Sequence, residues 1–400
     1  MSGGGLSSAR LGRLHDVLGG HTESGGVPGL VWLVARHGEV HTGVAGRLQA
    51  GGGDPVRQDT IFRISSMTKP VTAVAALILV EECRLRLDEP ADRFLPELAD
   101  RRVMVRSDGS LDDTVPAHRP ITLRDMLTFR LGLGMDFTAS GPQPVLAAMA
   151  ELGLGVGPPA PAGPPEPDEW MRRLGTLPLQ YQPGARWLYD TGAQVLGVLI
   201  ARASGQPFET FLAERIFEPL GMPDTGFFVP AADLGRFSPC YWTNPGSGIA
   251  EVYDPPDGQW SRPPAFPSGG AGLVSTVADY LAFAEMLRAG GTHGGQRILS
   301  CPSAEAMTTN HLTAEQRAVS GPDPTGSLGW GFGLGVQRLR TGPTRSVGTY
   351  GWDGGLGTQW ANDPAEDLIG ILMTSRVWES PAAPPVCVDF WTCAYAAIDD

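Results

Sequence analysis

Residues 60–83 read TIFRISSMTKPVTAVAALILVEEC, and the division of this stretch decides both fold and chemistry. Thr60 to Ser65 stands as a short segment of its own. From about Ser66 to Cys83, apolar residues at Val71, Val74, Ala75, Leu77, Ile78 and Leu79 predict a helix buried on most faces. Pro70 falls in its first turn, where no backbone donor is required. Ser66 and Lys69, three residues apart at the start of that helix, share one face. A lysine can take the proton of a serine nucleophile only if its pKa falls well below ~10.4. Burial among Val71, Val74 and Ile78, together with the positive end of the helix dipole, pushes it that way.

Composition sharpens the point. The 30 basic residues are 29 arginines and one lysine, Lys69. Arginine stays protonated and cannot serve as a base, so the chain keeps its lysine where proton transfer would need one. An isolated S-x-x-K is a weak motif, and the opposing reading is an ordinary exposed lysine in an arginine-biased chain.

A net charge of −13 argues against nucleic-acid binding through a basic surface. At 42 % hydrophobic and 18 % charged, the 400 residues are not globally disordered. The 54 glycines and 36 prolines follow no repeat and punctuate loops. Cys83, Cys240, Cys301, Cys387 and Cys393 lack metal-ligand spacing and read as reduced thiols. No apolar leader opens the chain, and the longest apolar run, Pro70 to Val80, is about half the ~20 residues of a membrane span. A cytoplasmic protein without a membrane partner is expected.

Working outward from the Ser66 helix, residues 10–20 predict an amphipathic helix, and Val27 to Val34 with Val40 to Val44 a β-hairpin. Residues 84–135 read as short helices and turns, with Thr122 and Asp125 capping Leu123 to Phe129. The Gly/Pro stretch 153–168 reads as a long surface loop or a lid. Glu169 to Gly175, Gln194 to Ser204 and Phe208 to Phe217 follow as helices, then an irregular stretch over 225–268 and a helix from Thr276 to Ala289. Gly329 to Arg338, Arg345 to Tyr350, Gly357 to Asn362 and Asp367 to Thr374 read as strands, and Asp389 to Ile398 as a last helix. Gly331, Gly333 and Gly335 suggest a strand with one bare face. This order predicts an α/β (α+β) fold, an antiparallel sheet built from both chain ends with flanking helices and a mostly helical insertion. Residues 1–65 and 270–400 would form the sheet domain and 66–269 the helical one, with the active site between them.

Other chemistries lack their motifs. There is no phosphate-binding G-x-x-x-x-G-K-[ST], no H-E-x-x-H, and no serine flanked by glycines at −2 and +2. His37 and His41 flank a turn and make no metal site.

The run Ser66-Met67-Thr68-Lys69-Pro70-Val71-Thr72-Ala73, with Leu87-Asp88-Glu89-Pro90, Ile121 to Thr128, Pro183 to Tyr189 and Gly351 to Thr358, resembles the class C β-lactamase-like serine hydrolases. That superfamily includes penicillin-binding proteins, D-amino peptidases and the family VIII carboxylesterases, and the likeness is strongest to the last. The resemblance implies a β-lactamase/transpeptidase-like fold, Ser66 as acylated nucleophile, Lys69 as its basic neighbour, and Tyr189 as the tyrosine of a Y-x-N motif that shuttles the proton. It further implies Trp352-Asp353-Gly354 in the place of K-T-G, and an oxyanion hole from the N–H groups of Ser66 and Gly355. Two departures matter: Thr191 stands where the family has Asn, and Trp352 removes the cation that would hold a substrate carboxylate. Both weaken a β-lactamase or D-amino peptidase reading and favour esters of neutral small molecules. Trp352, Trp330 and Phe137 are candidates for an apolar acyl pocket, and neither cofactor nor metal is called for. An acyltransferase on the same site is the nearest alternative, and an inactive binding scaffold a remote one.

Overall fold

A computed structural model describes residues 3–244, 246 and 250–400. Eight strands form one antiparallel sheet: β1 (Gly29–Arg36), β2 (Glu39–Gln49), β3 (Gly52–Pro55), β4 (Leu328–Trp330), β5 (Gly335–Gln337), β6 (Tyr350–Gly354), β7 (Thr358–Asp363) and β8 (Leu368–Thr374). The spatial order is β4-β5-β6-β7-β8-β1-β2-β3, so strands from near the two chain ends meet where β1 pairs with β8, Val31 opposite Met373.

Both faces of the sheet are covered, and β1 shows why its sequence is apolar throughout. Val31, Leu33 and Ala35 enter one core, while Leu30, Trp32 and Val34 enter the other. A strand alternates its side chains between faces, so a run without polar interruption needs cover on both. One cover is made by α1 (Ser8–Glu23) and the last helix, which put Leu11, Leu14, Phe390 and Trp391 against Trp32. The larger core holds α2 (Thr68–Glu81), α3 (Thr191–Ser204) and α4 (Val277–Arg288). Tyr280 and Phe283 of α4 pack edge-on against Trp360 of β7. The last helix, α5, spans Pro385–Ala396. Every residue of α2 from Thr68 to Leu79 is buried, as a helix apolar on all sides requires.

Several boundaries depart from expectation. The segment 329–338 is a hairpin: Trp330 pairs with Gly335, and the chain reverses between them at Gly333, whose φ is +73°. The Gly333 N–H donates to the Leu127 carbonyl at 2.9 Å, and a Cβ there would lie 2.9 Å from the Lys69 carbonyl oxygen. Gly333 therefore serves a turn packed against α2, Gly331 lies in that turn against the Met307 carbonyl, and of the three only Gly335 lies in a strand, where its bare face receives the Trp352 ring. The strand expected over Arg345 to Tyr350 begins where it was expected to end; Ser346 and Thr349 form a turn in which the Ser346 N–H donates to Asp363 Oδ2 at 2.9 Å. The stretch 225–268 contains a hairpin of Cys240–Thr243 with Ala250–Asp254, while positions 245 and 247–249 of it lie outside the described residues. Residues 84–135 contain a small hairpin of Arg102–Met104 with Thr114–Pro116 beside the capped helix Leu123–Leu127.

Candidate active site

Ser66 lies in a 3-10 turn, Ser65–Met67, that feeds directly into α2. Three contacts pin this turn. The Ile64 N–H donates to the Leu273 carbonyl at 3.0 Å, the Leu273 N–H to Thr68 Oγ1 at 3.1 Å, and the Tyr280 hydroxyl to the Met67 carbonyl at 2.9 Å. Ser65, with φ +47° and almost fully buried, adopts a left-handed conformation unusual for a side-chain-bearing residue. The Ser66 hydroxyl faces a cavity of about 610 Å³.

Lys69 is not the ordinary exposed lysine of the opposing reading, because its side chain is 0 % exposed. Its Nζ donates to Ser66 Oγ at 2.9 Å and to the Gly270 carbonyl at 2.6 Å, and it lies 3.1 Å from Asp190 Oδ2. Three acceptors for three donors is the inventory of an ammonium; a neutral amine has only two N–H groups. Burial opposes the charge, but Tyr189 and Asp190 together outweigh it and hold the lysine above its usual range. The depressed pKa expected from sequence is thus reversed, because a tyrosine and a carboxylate far along the chain share the pocket.

Tyr189 is brought in by a bridge between Met135 and Tyr189, whose N–H donates to the Met135 carbonyl at 2.9 Å. Its hydroxyl stands 2.8 Å from Ser66 Oγ and accepts the Trp352 indole N–H at 3.1 Å. Beneath it Phe129, Trp187 and Trp330 pack as a rigid aromatic pile. Trp330 is fully buried in that pile and supports Trp352 edge-on at 4.6 Å, so it is a prop beneath the site and no part of the cavity wall.

Trp352 and Gly354 share one face of β6, and Asp353 falls on the other, where Arg345 approaches to 3.9 Å. Gly354 abuts the turn that carries Ser66: a Cβ there would lie 2.3 Å from the Ile64 carbonyl oxygen. The next residue, Gly355, opens on the same cavity as Ser66. Among the described residues neither the Ser66 N–H nor the Gly355 N–H is donated to a protein acceptor, which leaves two backbone donors beside the Ser66 hydroxyl. Phe137, half exposed, lines the cavity with its ring 5.5 Å from Tyr189. Thr191 does not line it: this first residue of α3 is 3 % exposed, and its neighbours Asp190 and Gln194 face the space instead.

Sequence reasoning missed Asp190 and the Gly270 carbonyl. A carbonyl has no sequence signature, but a buried lysine demands an anion, and Asp190 adjoins a candidate tyrosine. It also left open the role of the Gly/Pro stretch. Residues 153–166 carry no regular structure and contribute Gly157, Pro158, Pro159, Pro161 and Pro164 to the cavity wall. The Tyr253 hydroxyl donates to the Pro159 carbonyl at 2.6 Å, and the Ala162 N–H to Gln259 Oε1 at 3.2 Å, tying this wall to the 240–260 region. The lining is mainly apolar, with Met135, Phe266, Leu356 and Trp378 prominent, and among the described residues includes no lysine, arginine or histidine. Among the described residues no three His, Cys, Asp or Glu side chains gather as a metal site, and no helix is long and apolar enough to cross a membrane.

A family model described as beta-lactamase matches residues 14–384. The chain belongs to the beta-lactamase family. Among curated relatives it is 40 % identical over 326 residues to protein Rv1367c of Mycobacterium tuberculosis, covering 79 % of this chain and 78 % of the relative. It is 32 % identical over 377 residues to esterase EstB of Burkholderia gladioli, covering 89 % and 88 %. Among solved structures, EstCE1, described as a hydrolase with promiscuous acyltransferase activity, superposes with a TM-score of 0.78 at 24 % identity, over 97 % of this chain and 99 % of that one. The β-lactamase/transpeptidase-like architecture that the resemblance implied is the fold of this chain, and its sheet is built from both chain ends as the order of strands and helices predicted.

Proposed function

We propose that the protein is a serine esterase acting on carboxylic esters of neutral small molecules through an acyl-Ser66 intermediate. The observation that carries this reading is the junction at Ser66 Oγ, where Tyr189 Oη lies at 2.8 Å and Lys69 Nζ at 2.9 Å on the wall of a largely apolar cavity. In the reacting form Tyr189 has lost its proton. Ser66 Oγ attacks the ester carbonyl as its proton passes to Tyr189 Oη, and the N–H groups of Ser66 and Gly355 hold the oxyanion. Collapse expels the alkoxide, which takes the proton back from Tyr189. Water then adds to the acyl group, giving a proton to Tyr189, and release of the carboxylic acid returns that proton to Ser66. The Lys69 ammonium and the Trp352 indole N–H stabilise negative charge on the two oxygens throughout.

A 32 % identical esterase relative supports the ester chemistry. The lack of any cationic side chain in the cavity lining speaks against a substrate carboxylate, and so against β-lactams and cell-wall peptides. Acyl transfer is the second reading: about 610 Å³ has room for an acceptor alcohol beside a short acyl chain, and the alcohol would take the place of water. Five unbridged cysteines suit a reducing compartment, and we assign the activity to the cytoplasm.

The test is turnover of p-nitrophenyl acetate, butyrate and octanoate, and of nitrocefin, by wild type and Ser66→Ala. Ester hydrolysis confined to wild type, with a fluorophosphonate adduct on Ser66 by mass spectrometry, is expected. Equal turnover by both proteins refutes the mechanism, and nitrocefin turnover exceeding ester turnover refutes the substrate class.

A further inference from the structure

The Y-x-N resemblance directs attention to position 191, yet the residue that reaches the lysine is the one before it. Asp190 precedes α3, and its side chain is 15 % exposed. Oδ2 lies 3.1 Å from Lys69 Nζ, and Oδ1 accepts from Gln194 Nε2 at 3.3 Å, so the carboxylate is tethered within its own helix turn. Nζ also donates to the Gly270 carbonyl at 2.6 Å and to Ser66 Oγ at 2.9 Å. The Tyr189 ring lies 4.4 Å from Nζ, measured to its centroid.

We propose that Asp190 is a positioning residue, whose carboxylate fixes the Lys69 side chain as a permanent cation between Ser66 Oγ and the Gly270 carbonyl, and so leaves proton transfer to Tyr189. Fully buried ammonium groups are strongly disfavoured without an anion in contact. Among the described residues Tyr189 and Asp190 are the titratable groups that face Nζ; the other titratable residue of α2, Glu81, lies at the far end of the helix and accepts from the Ser300 N–H. With Asp190 ionised, all three N–H groups of Nζ are engaged and none of its geometry is left for accepting the Ser66 proton. The role in turnover rests on the esterase reading, whereas the state of Lys69 does not.

The composition supplies a direct probe. Because Lys69 is the only lysine, protein labelled with 13C at lysine Cε gives a single side-chain signal whose shift reports protonation. In wild type that signal is expected to stay in the ammonium position to pH 10 or above. In Asp190→Asn, which keeps a hydrogen-bond acceptor and removes the charge, the midpoint is expected to fall by about one pH unit or more. The alkaline limb of kcat/KM on p-nitrophenyl butyrate should shift down with it, while Asp190→Ala, lacking the acceptor too, loses at least about tenfold in kcat with KM changed less than about threefold. A wild-type lysine that titrates below pH 9, or an unchanged midpoint in Asp190→Asn, overturns the proposal. The wild-type titration needs no variant to fold and no turnover, so it separates this idea from the esterase reading, which fails on its own if wild type hydrolyses no ester.

Discussion

Three acceptors surround the Lys69 Nζ in a space closed to solvent, and a planar guanidinium cannot reproduce that tetrahedral set. Lys69→Arg keeps the charge but is larger and differently shaped, so kcat on p-nitrophenyl butyrate is expected to fall by about a hundredfold or more; near-normal kcat would remove the point-cation role. Tyr189→Phe fills the same place beside Phe129, Phe137 and Trp187 but lacks the oxygen that faces Ser66. We expect its melting temperature to change little and kcat to fall by about 10²–10⁴. A variant that still acylated at wild-type rate in rapid-quench kinetics would rule out Tyr189 as the proton carrier. At this scale the sequence was legible where chemistry is local: Ser66 and Lys69 sit at helical spacing, and the scarcity of lysine pointed to them. Asp190 was not, because its contact with Lys69 depends on where α3 begins relative to α2, and no periodicity records that.

The elements that carry the site meet at backbone contact. Gly354 on β6 lies against Ile64, and its missing side chain lets the strand's last residue bring Gly355 beside Ser66. Gly354→Ala would set a methyl 2.3 Å from the Ile64 oxygen and 2.2 Å from Thr358 Oγ1, so β6 must shift away from the Ser66 turn. Ester turnover should drop by more than tenfold, with a loss of roughly 1–3 kcal/mol in urea unfolding; full activity would show that Gly355 is not needed next to Ser66. Long periodic elements such as α2, α3 and β8 were readable because their hydrophobic pattern extends over many residues. The 328–337 hairpin was misread for the opposite reason: its strands are three residues each, and alternating glycine looks the same in a turn and in a strand.

Across the whole molecule, the sheet and the larger core hold α2 and α4 together, and one buried carboxylate makes the seating of α4 against residues 224–225 sensitive to pH. Asp279 in the first turn of α4 accepts from the Asp224 N–H at 2.8 Å and from Thr225 Oγ1 at 2.9 Å, and burial pushes its pKa up to about 6. An unfolded aspartate titrates near ~3.9. Below that value both states are protonated and no penalty arises; as pH rises to about 6 the unfolded chain ionises first and stability is lost, by up to about 3 kcal/mol. Asp279→Asn should therefore gain on wild type between pH 4 and pH 7 in denaturant unfolding, and parallel pH profiles would contradict this. The overall architecture was legible from the order of elements, since strands near both ends of the chain with helices between them leave few ways to build one sheet.

The burial of Lys69 has one more consequence, for the exterior. An enzyme that handles activated acyl groups risks having them transferred to its own ε-amines. Here the sole ε-amine is sealed beneath Ser66, and the remaining basic side chains are guanidinium groups, which resist acylation at neutral pH. The folded surface offers acyl donors no lysine to modify, and the protein is in that respect inert to its own chemistry.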